Sequence, residues 1–240
     1  MKTMVFGGKE ITPDLRMLSD LKDVIPDKEF LAKTEDYPLY YMYRDLALSK
    51  ADRQAMAEHD LRYDITIIPP EMFGKEYTKT IGHYHPLVPG TRLSYTEIYE
   101  VMEGEAHYLL QKLERGEIED VVLVKAKKGD KIIMPPNYGH ITINPSNKEL
   151  KMSNLVSSKF KSDYSLYKIM KGGAYYEFKD GCVKNPAYKN LPELRIVEAK
   201  KIQQIGLGKN EELYSLVKKD LSALGFLNKP QDYDWINSLY

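Results

Sequence analysis

A single cysteine, Cys182, stands among the 240 residues, which excludes an internal disulfide framework and suits a reducing compartment. No stretch approaches the roughly 18 consecutive apolar residues of a membrane-spanning helix. The first ten residues also lack the apolar stretch of a secretion signal. Net charge is missing as well. Lysines plus arginines number 35 and aspartates plus glutamates 35, so no global field draws the chain to nucleic acid or to an anionic membrane. Internal repeats and low-complexity segments are absent. The expectation is a cytoplasmic protein of one domain with additions at its ends, and with neither nucleic acid nor membrane as a partner.

The texture changes along the chain. In residues 14–21 the apolar Leu15, Met17, Leu18 and Leu21 fall near helical spacing, residues 27–32 offer a second amphipathic turn, and Ser49 precedes a run of good helix formers over 50–59. Residues 1–60 are therefore expected as an N-terminal helical arm. Past Leu61 come short alternating runs punctuated by Gly, Pro and Asn, at 64–68, 98–102, 106–111, 121–124, 131–134 and 141–143. Such spacing means a sandwich or barrel, expected over 61–185. Residues 211–224 return to helical spacing, within a C-terminal helical extension over 186–240 expected to pack on the barrel.

Chemistry is concentrated in a few positions. His83 and His85 flank Tyr84 in an extended stretch, where alternate residues face the same way and project both imidazoles from one side. Glu97 opens a second strand-like run with Tyr99 and Val101 on its own face. His140 follows the rigid 134–139 entry and begins another alternating run. Three neutral imidazoles and one carboxylate suit a divalent transition metal (Fe, Mn, Ni, Co or Zn) and leave positions open for water or substrate. Thr80 has the opposite parity to His83. In a regular strand it faces away, and it reaches the same pocket only where Gly82 marks a bulge or bend. His59 and His107 fall outside the pattern and suit surface or packing roles.

A His-x-His pair, a downstream Glu, a Gly turn, then Gly129-Asp130, Pro135-Pro136 and a last His resemble the two motifs of the cupin superfamily. Within it, Thr80-Ile81-Gly82-His83-Tyr84-His85, Glu97-Ile98-Tyr99, Leu109-Leu110-Gln111 and Pro135 through Asn144 are similar to the cupin-type glucose-6-phosphate isomerases of archaea and some bacteria. The resemblance covers roughly Thr66 to Tyr164 and implies an all-β core, a cupin jelly-roll barrel. It further implies that His83, His85, Glu97 and His140 hold the metal, that Glu97 is the base, and that Thr66, Thr80, the Gly82 backbone and Tyr99 contact a phosphorylated sugar. A homodimer is expected by the same analogy. Two departures stand out: a longer loop between His85 and Glu97, and Val156 and Ser162 where the family has a tyrosine and a histidine.

The implied chemistry is coherent. Interconverting an aldose and a ketose removes a proton beside a carbonyl, and a divalent metal on the neighbouring oxygens lowers the cost of the resulting enediolate. A carboxylate in reach can move the proton. Glu97 cannot be a fully engaged ligand and a free base at once: either it binds through one oxygen and swings, or another residue takes the proton, and a hydride shift competes with both. The same donor set also serves a metal-dependent dioxygenase or a non-catalytic sugar-binding cupin.

Overall fold

Strand pairing explains most of the architecture. The computed structural model describes residues 3–240; Met1 and Lys2, the first residues of the expected arm, lie outside the described residues. A six-stranded sheet runs in the order Lys131–Met134, Glu97–Glu103, Leu150–Ser157, Leu61–Ile68, Pro38–Tyr43, Asp14–Met17. A four-stranded sheet runs Tyr138–Ile143, Glu105–Glu114, Glu117–Lys127, Leu194–Glu198. All pairs are antiparallel except the last, which is parallel. The two sheets share one core of buried residues, among them Val101, Tyr108, Leu110, Ile132, Met134 and Met152. This is the all-β, cupin-type roll that the sequence resemblance implies.

The six-stranded sheet is covered on both faces. Residues of opposite parity, Tyr63, Ile65, Ile98, Ile133 and Leu155, join a second core with Leu213, Leu216, Leu224 and Phe226 from the C-terminal segment. Double burial is why Leu61–Ile68 and Leu150–Ser157 are buried at nearly every position rather than alternating. The loss of alternation hid the Leu150–Ser157 strand from pattern reading. The C-terminal segment is less regular than expected: a helix at Ser215–Lys219, a 3-10 turn at Leu221–Leu227, and a strand at Leu194–Glu198.

The expected helical arm needs correction. Residues 14–21 are a strand, Asp14–Met17, followed by a single helical turn, Leu18–Leu21. Together with Pro38–Tyr43, that strand extends the barrel sheet. A helix this short closes too few hydrogen bonds to offset its nucleation cost, whereas the strand pairs with Tyr40, Tyr41 and Met42. The other two helices form as the sequence indicates. Lys28–Lys33 is capped by Asp27, which accepts from Phe30 N at 2.8 Å, and Lys50–Glu58 by Ser49, which accepts from Asp52 N at 3.0 Å. Among the described residues, no helix is long and apolar enough to cross a membrane.

The fully buried Phe226 ties the tail to the barrel. Its ring packs edge-on against Trp235, and its carbonyl accepts from Thr96 Oγ1 at 2.9 Å. Phe226→Ala should cost about 3–5 kcal/mol in denaturant unfolding; a loss under about 1 kcal/mol would mean the tail contributes little to the folded state.

Candidate metal centre and substrate cavity

Alternation along neighbouring strands builds the site. From the six-stranded sheet, Tyr40 and Met42 with Arg44, then Arg62, Asp64 and Thr66, then Met152, Asn154 and Val156, then Glu97 and Tyr99 all line one cavity of about 430 Å³. The facing sheet contributes His140 and Thr142. Such a volume lies within the roughly 300–1,000 Å³ usual for small-molecule sites.

The histidine pair is extended but belongs to no regular strand. His83 exchanges two backbone hydrogen bonds with His140, of 3.2 and 3.0 Å, and Tyr84 exchanges two with Asp163, both 2.9 Å. The reason is Gly82, at φ +84°, where a Cβ would lie 2.6 Å from Ile141 Cγ1 and 2.7 Å from the Tyr167 ring. Glycine alone accepts that conformation in so tight a space. The bend brings Thr80, Gly82, His83 and His85 to the same cavity despite their mixed parity. Thr80 also holds the turn: its N–H donates to the Thr142 carbonyl, and its Oγ1 accepts from Thr142 N at 3.0 Å.

His83, His85, Glu97 and His140 converge, their donor atoms all within 4.8 Å of one another. The two Nε2 atoms of His83 and His85 are 3.2 Å apart, and Glu97 Oε2 lies 3.3 Å from His85 Nε2 and 3.4 Å from His140 Nε2. His85 Nδ1 is 3.0 Å from the Tyr95 carbonyl. A carbonyl only accepts, so Nδ1 carries the proton and Nε2 presents its lone pair to the cluster. Phe160 packs on the His85 ring and Tyr164 on His83, at centroid distances of 4.5 and 5.4 Å.

Electrostatics favours a cation at this point. Burial strongly disfavours the protonated form of His83, and the neighbouring imidazoles push its pKa the same way, well below the usual histidine range. Burial also lowers His140, against the opposing pull of Glu97. For Glu97, burial by itself would raise the pKa, but the adjacent rings of His140 and His85 outweigh it and hold the carboxyl well below the usual range. The result is an ionised, buried carboxylate in a cluster where burial disfavours protonation of His83 and His140. Glu97 Oε1 accepts from Asn154 Nδ2 at 2.7 Å, while the buried Oε2 has no hydrogen-bond partner. An orphaned carboxylate oxygen beside imidazole lone pairs is the donor set of a divalent transition ion, and the four side chains fit one.

Each residue singled out from the sequence lies in this cavity: Thr66, Thr80, Gly82, Tyr99 and the four donors. Tyr99 Oη sits 3.3 Å from His140 Nε2. Val156 and Ser162 line it too. His107 lies outside, paired with Glu177 at 2.7 Å, and His59 closes a helix. Sequence reading missed Asn154, Asp64, Arg62 and Arg44. The signal for the first three was period two: Asn154 lies two residues before Val156, and Arg62 and Asp64 four and two before Thr66.

A family model described as glucose-6-phosphate isomerase (GPI) matches residues 15–205. Over 141 residues the chain is 33% identical to the glucose-6-phosphate isomerase of Pyrococcus abyssi, covering 58% of this chain and 65% of that protein. Over 188 residues it is 30% identical to that of Thermococcus kodakarensis, covering 76% and 89%. The chain thus spans slightly under two thirds of the Pyrococcus abyssi relative. Among solved structures it is similar to a cupin-like protein from Thermotoga maritima, at 20% identity over 52% of this chain and 71% of that one, with a TM-score of 0.33.

Asn154 reaches the centre only through Glu97. Asn154→Ala should weaken uptake of Mn²⁺ by chelator-stripped protein by about 10- to 100-fold, with the fold intact by circular dichroism; unchanged affinity would show that Glu97 is held without it.

Proposed function

The chain belongs to the glucose-6-phosphate isomerase family whose model matches residues 15–205, and from that membership we propose that it interconverts glucose 6-phosphate and fructose 6-phosphate. The observation that carries the reading is the convergence of His83, His85, Glu97 and His140 at one wall of a cavity of about 430 Å³. His83, His85, His140 and Glu97 would hold a divalent transition metal, whose charge polarises a carbonyl and a hydroxyl oxygen of the sugar.

The protein's own groups do the rest. Glu97 Oε2 faces the imidazoles, so Oε1 is the oxygen that exchanges a proton with the substrate carbon, and the Asn154 amide steadies it between transfers. This division of labour lets one carboxylate serve as ligand and base. Removing the C2 proton yields an enediolate; returning it to C1, while the hydroxyl proton passes from O2 to O1, completes the isomerisation. Tyr99 keeps its proton, because burial and then the Glu97 charge raise its pKa well above the usual phenol value. It therefore donates a hydrogen bond beside the reacting oxygens. Thr66, Thr80 and the Gly82 backbone contact the phosphorylated sugar. Phe160 and Tyr164 cover the imidazoles and limit water around them. A cytoplasmic homodimer goes with this reading.

Chelator-stripped protein should lose fructose 6-phosphate isomerisation and regain it without oxygen on adding Mn²⁺ or Fe²⁺. Oxygen uptake in place of isomerisation would point to an oxidase instead. Glu97→Gln should lower turnover by a factor on the order of 10²–10⁴ with little loss of fold, and wild-type turnover in that variant would remove Glu97 from the chemistry. A solution mass of twice the 27.7 kDa chain is expected; a mass of one chain at micromolar concentration would contradict the dimer.

A further inference from the structure

The long loop between His85 and Glu97 folds as a closed hairpin. Val88 N donates to the Leu93 carbonyl at 2.8 Å and Tyr95 N to the Pro86 carbonyl at 3.1 Å, while Thr91 Oγ1 accepts from Leu93 N at 3.1 Å across the turn. Asn137 fastens this hairpin to the barrel. Its backbone is left-handed, at φ +67°, a conformation that asparagine tolerates better than most residues with a side chain. From there its Oδ1 accepts from Ser94 N at 2.9 Å, its Nδ2 donates to the Arg92 carbonyl at 3.2 Å, and its backbone N–H donates to Ser94 Oγ at 2.7 Å. The Asn137 carbonyl accepts from Leu113 N at 3.0 Å, which ties the same turn to the strand Glu105–Glu114.

These bonds lead to the candidate metal centre. The buried Ser94 hydroxyl, which accepts from Asn137 N, donates to the Tyr95 carbonyl at 3.2 Å, and that carbonyl also accepts from His85 Nδ1 at 3.0 Å. A carbonyl oxygen has two lone pairs and accommodates both donors, and hydrogen bonds chained in this way polarise one another away from water. The Tyr95 ring stacks on Phe160 at a centroid distance of 4.9 Å, and Phe160 in turn packs on His85. The His85 ring is thus held at its edge by the carbonyl and on its face by Phe160. A ring turned over about its Cβ–Cγ bond would lose the Tyr95 carbonyl and carry Nε2 away from His83 and Glu97. Asn137 also lies three residues before His140, so one side chain sets two donors from separate segments relative to each other.

We propose that Asn137 is a positioning residue for His85: by fixing Ser94 it holds the Tyr95 carbonyl where it accepts from Nδ1, and so keeps Nε2 turned toward the other donors. That His85 then holds a metal rests on the isomerase reading; the orientation of its ring by Asn137 does not. The role gives the long loop its purpose, since a histidine that binds a metal through one nitrogen needs a fixed acceptor for the proton on the other. A hairpin loose from the barrel would sample many conformations and leave Nδ1 without one.

The test follows exchange of the His85 Nδ1 proton with water by nuclear magnetic resonance in chelator-stripped protein, and Mn²⁺ affinity by calorimetry, for wild type, Asn137→Gly and Asn137→Asp. Glycine accepts the left-handed backbone without strain, so Asn137→Gly removes the side-chain bonds alone. Asn137→Asp keeps the acceptor for Ser94 N. In Asn137→Gly the Nδ1 proton should exchange about tenfold or more faster than in wild type while the backbone amides of Leu61–Ile68 keep their rates. Mn²⁺ affinity should fall about 10- to 100-fold, and Asn137→Asp should recover much of both losses. If Asn137→Gly fails to fold, Ser94→Ala, which cuts the same chain of bonds at the hydroxyl, takes its place. An Nδ1 proton that exchanges no faster, or only in step with the amides of Leu61–Ile68, overturns the proposal, as does unchanged affinity in a protein whose wild type binds Mn²⁺. The two readings separate cleanly. Selective loss of Nδ1 protection in a protein that binds no Mn²⁺ upholds the positioning against the metal, and tight Mn²⁺ binding with both measurements unmoved by Asn137→Gly does the reverse.

Discussion

Glu97 is a buried carboxylate at 4% exposure, and the architecture of the site follows from the need to keep it charged there. An isolated carboxylate in an apolar interior would take up a proton. Here the Asn154 amide binds one oxygen and the imidazoles of His85 and His140 approach the other. Those partners arrive from separate segments: Asn154 from the adjacent strand, His140 from the facing sheet, and His85 from a glycine-hinged stretch that bridges to His140's strand. The charge at Glu97 and the closure of the roll are one problem with one solution.

The same pairing that places Glu97 ranks the other cavity residues by distance from it. Across the sheet the order is Glu97 and Tyr99, then Asn154 and Val156, then Arg62 and Asp64, then Met42 and Arg44. The candidate metal donor Glu97 sits at one end and cationic charge at the other, separated by whole strand spacings. A single-residue slip of any one of these strands would turn its cavity residues outward, so the cavity lining depends on register as much as the packing does. The C-terminal segment reinforces it by covering the opposite face, with Phe226 seated beside Thr96, the residue before Glu97.

Sequence patterning made the four candidate metal donors legible because each is a rare residue type in a local, short-range context: two histidines around one residue, a glutamate opening a strand, a histidine after Pro-Pro. The N-terminal elements were less legible. Leu15, Met17, Leu18 and Leu21 mimic a helical stripe because a strand and a turn happen to abut, and the strand is fixed by a partner, Pro38–Tyr43, about two dozen residues away. Leu150–Ser157 escaped notice because a strand buried on both faces loses its alternation.

The sequence by itself determined the β-rich core, the four donor residues and the glycine at which the histidine stretch bends, since these follow from residue chemistry and near-neighbour spacing. Only the tertiary structure decided which arginines reach the cavity, that Asn154 grips Glu97, and that Val156 lies between Arg62 and Glu97. Those facts depend on strand order and register between segments far apart in the chain, which are set by closing the roll around its core.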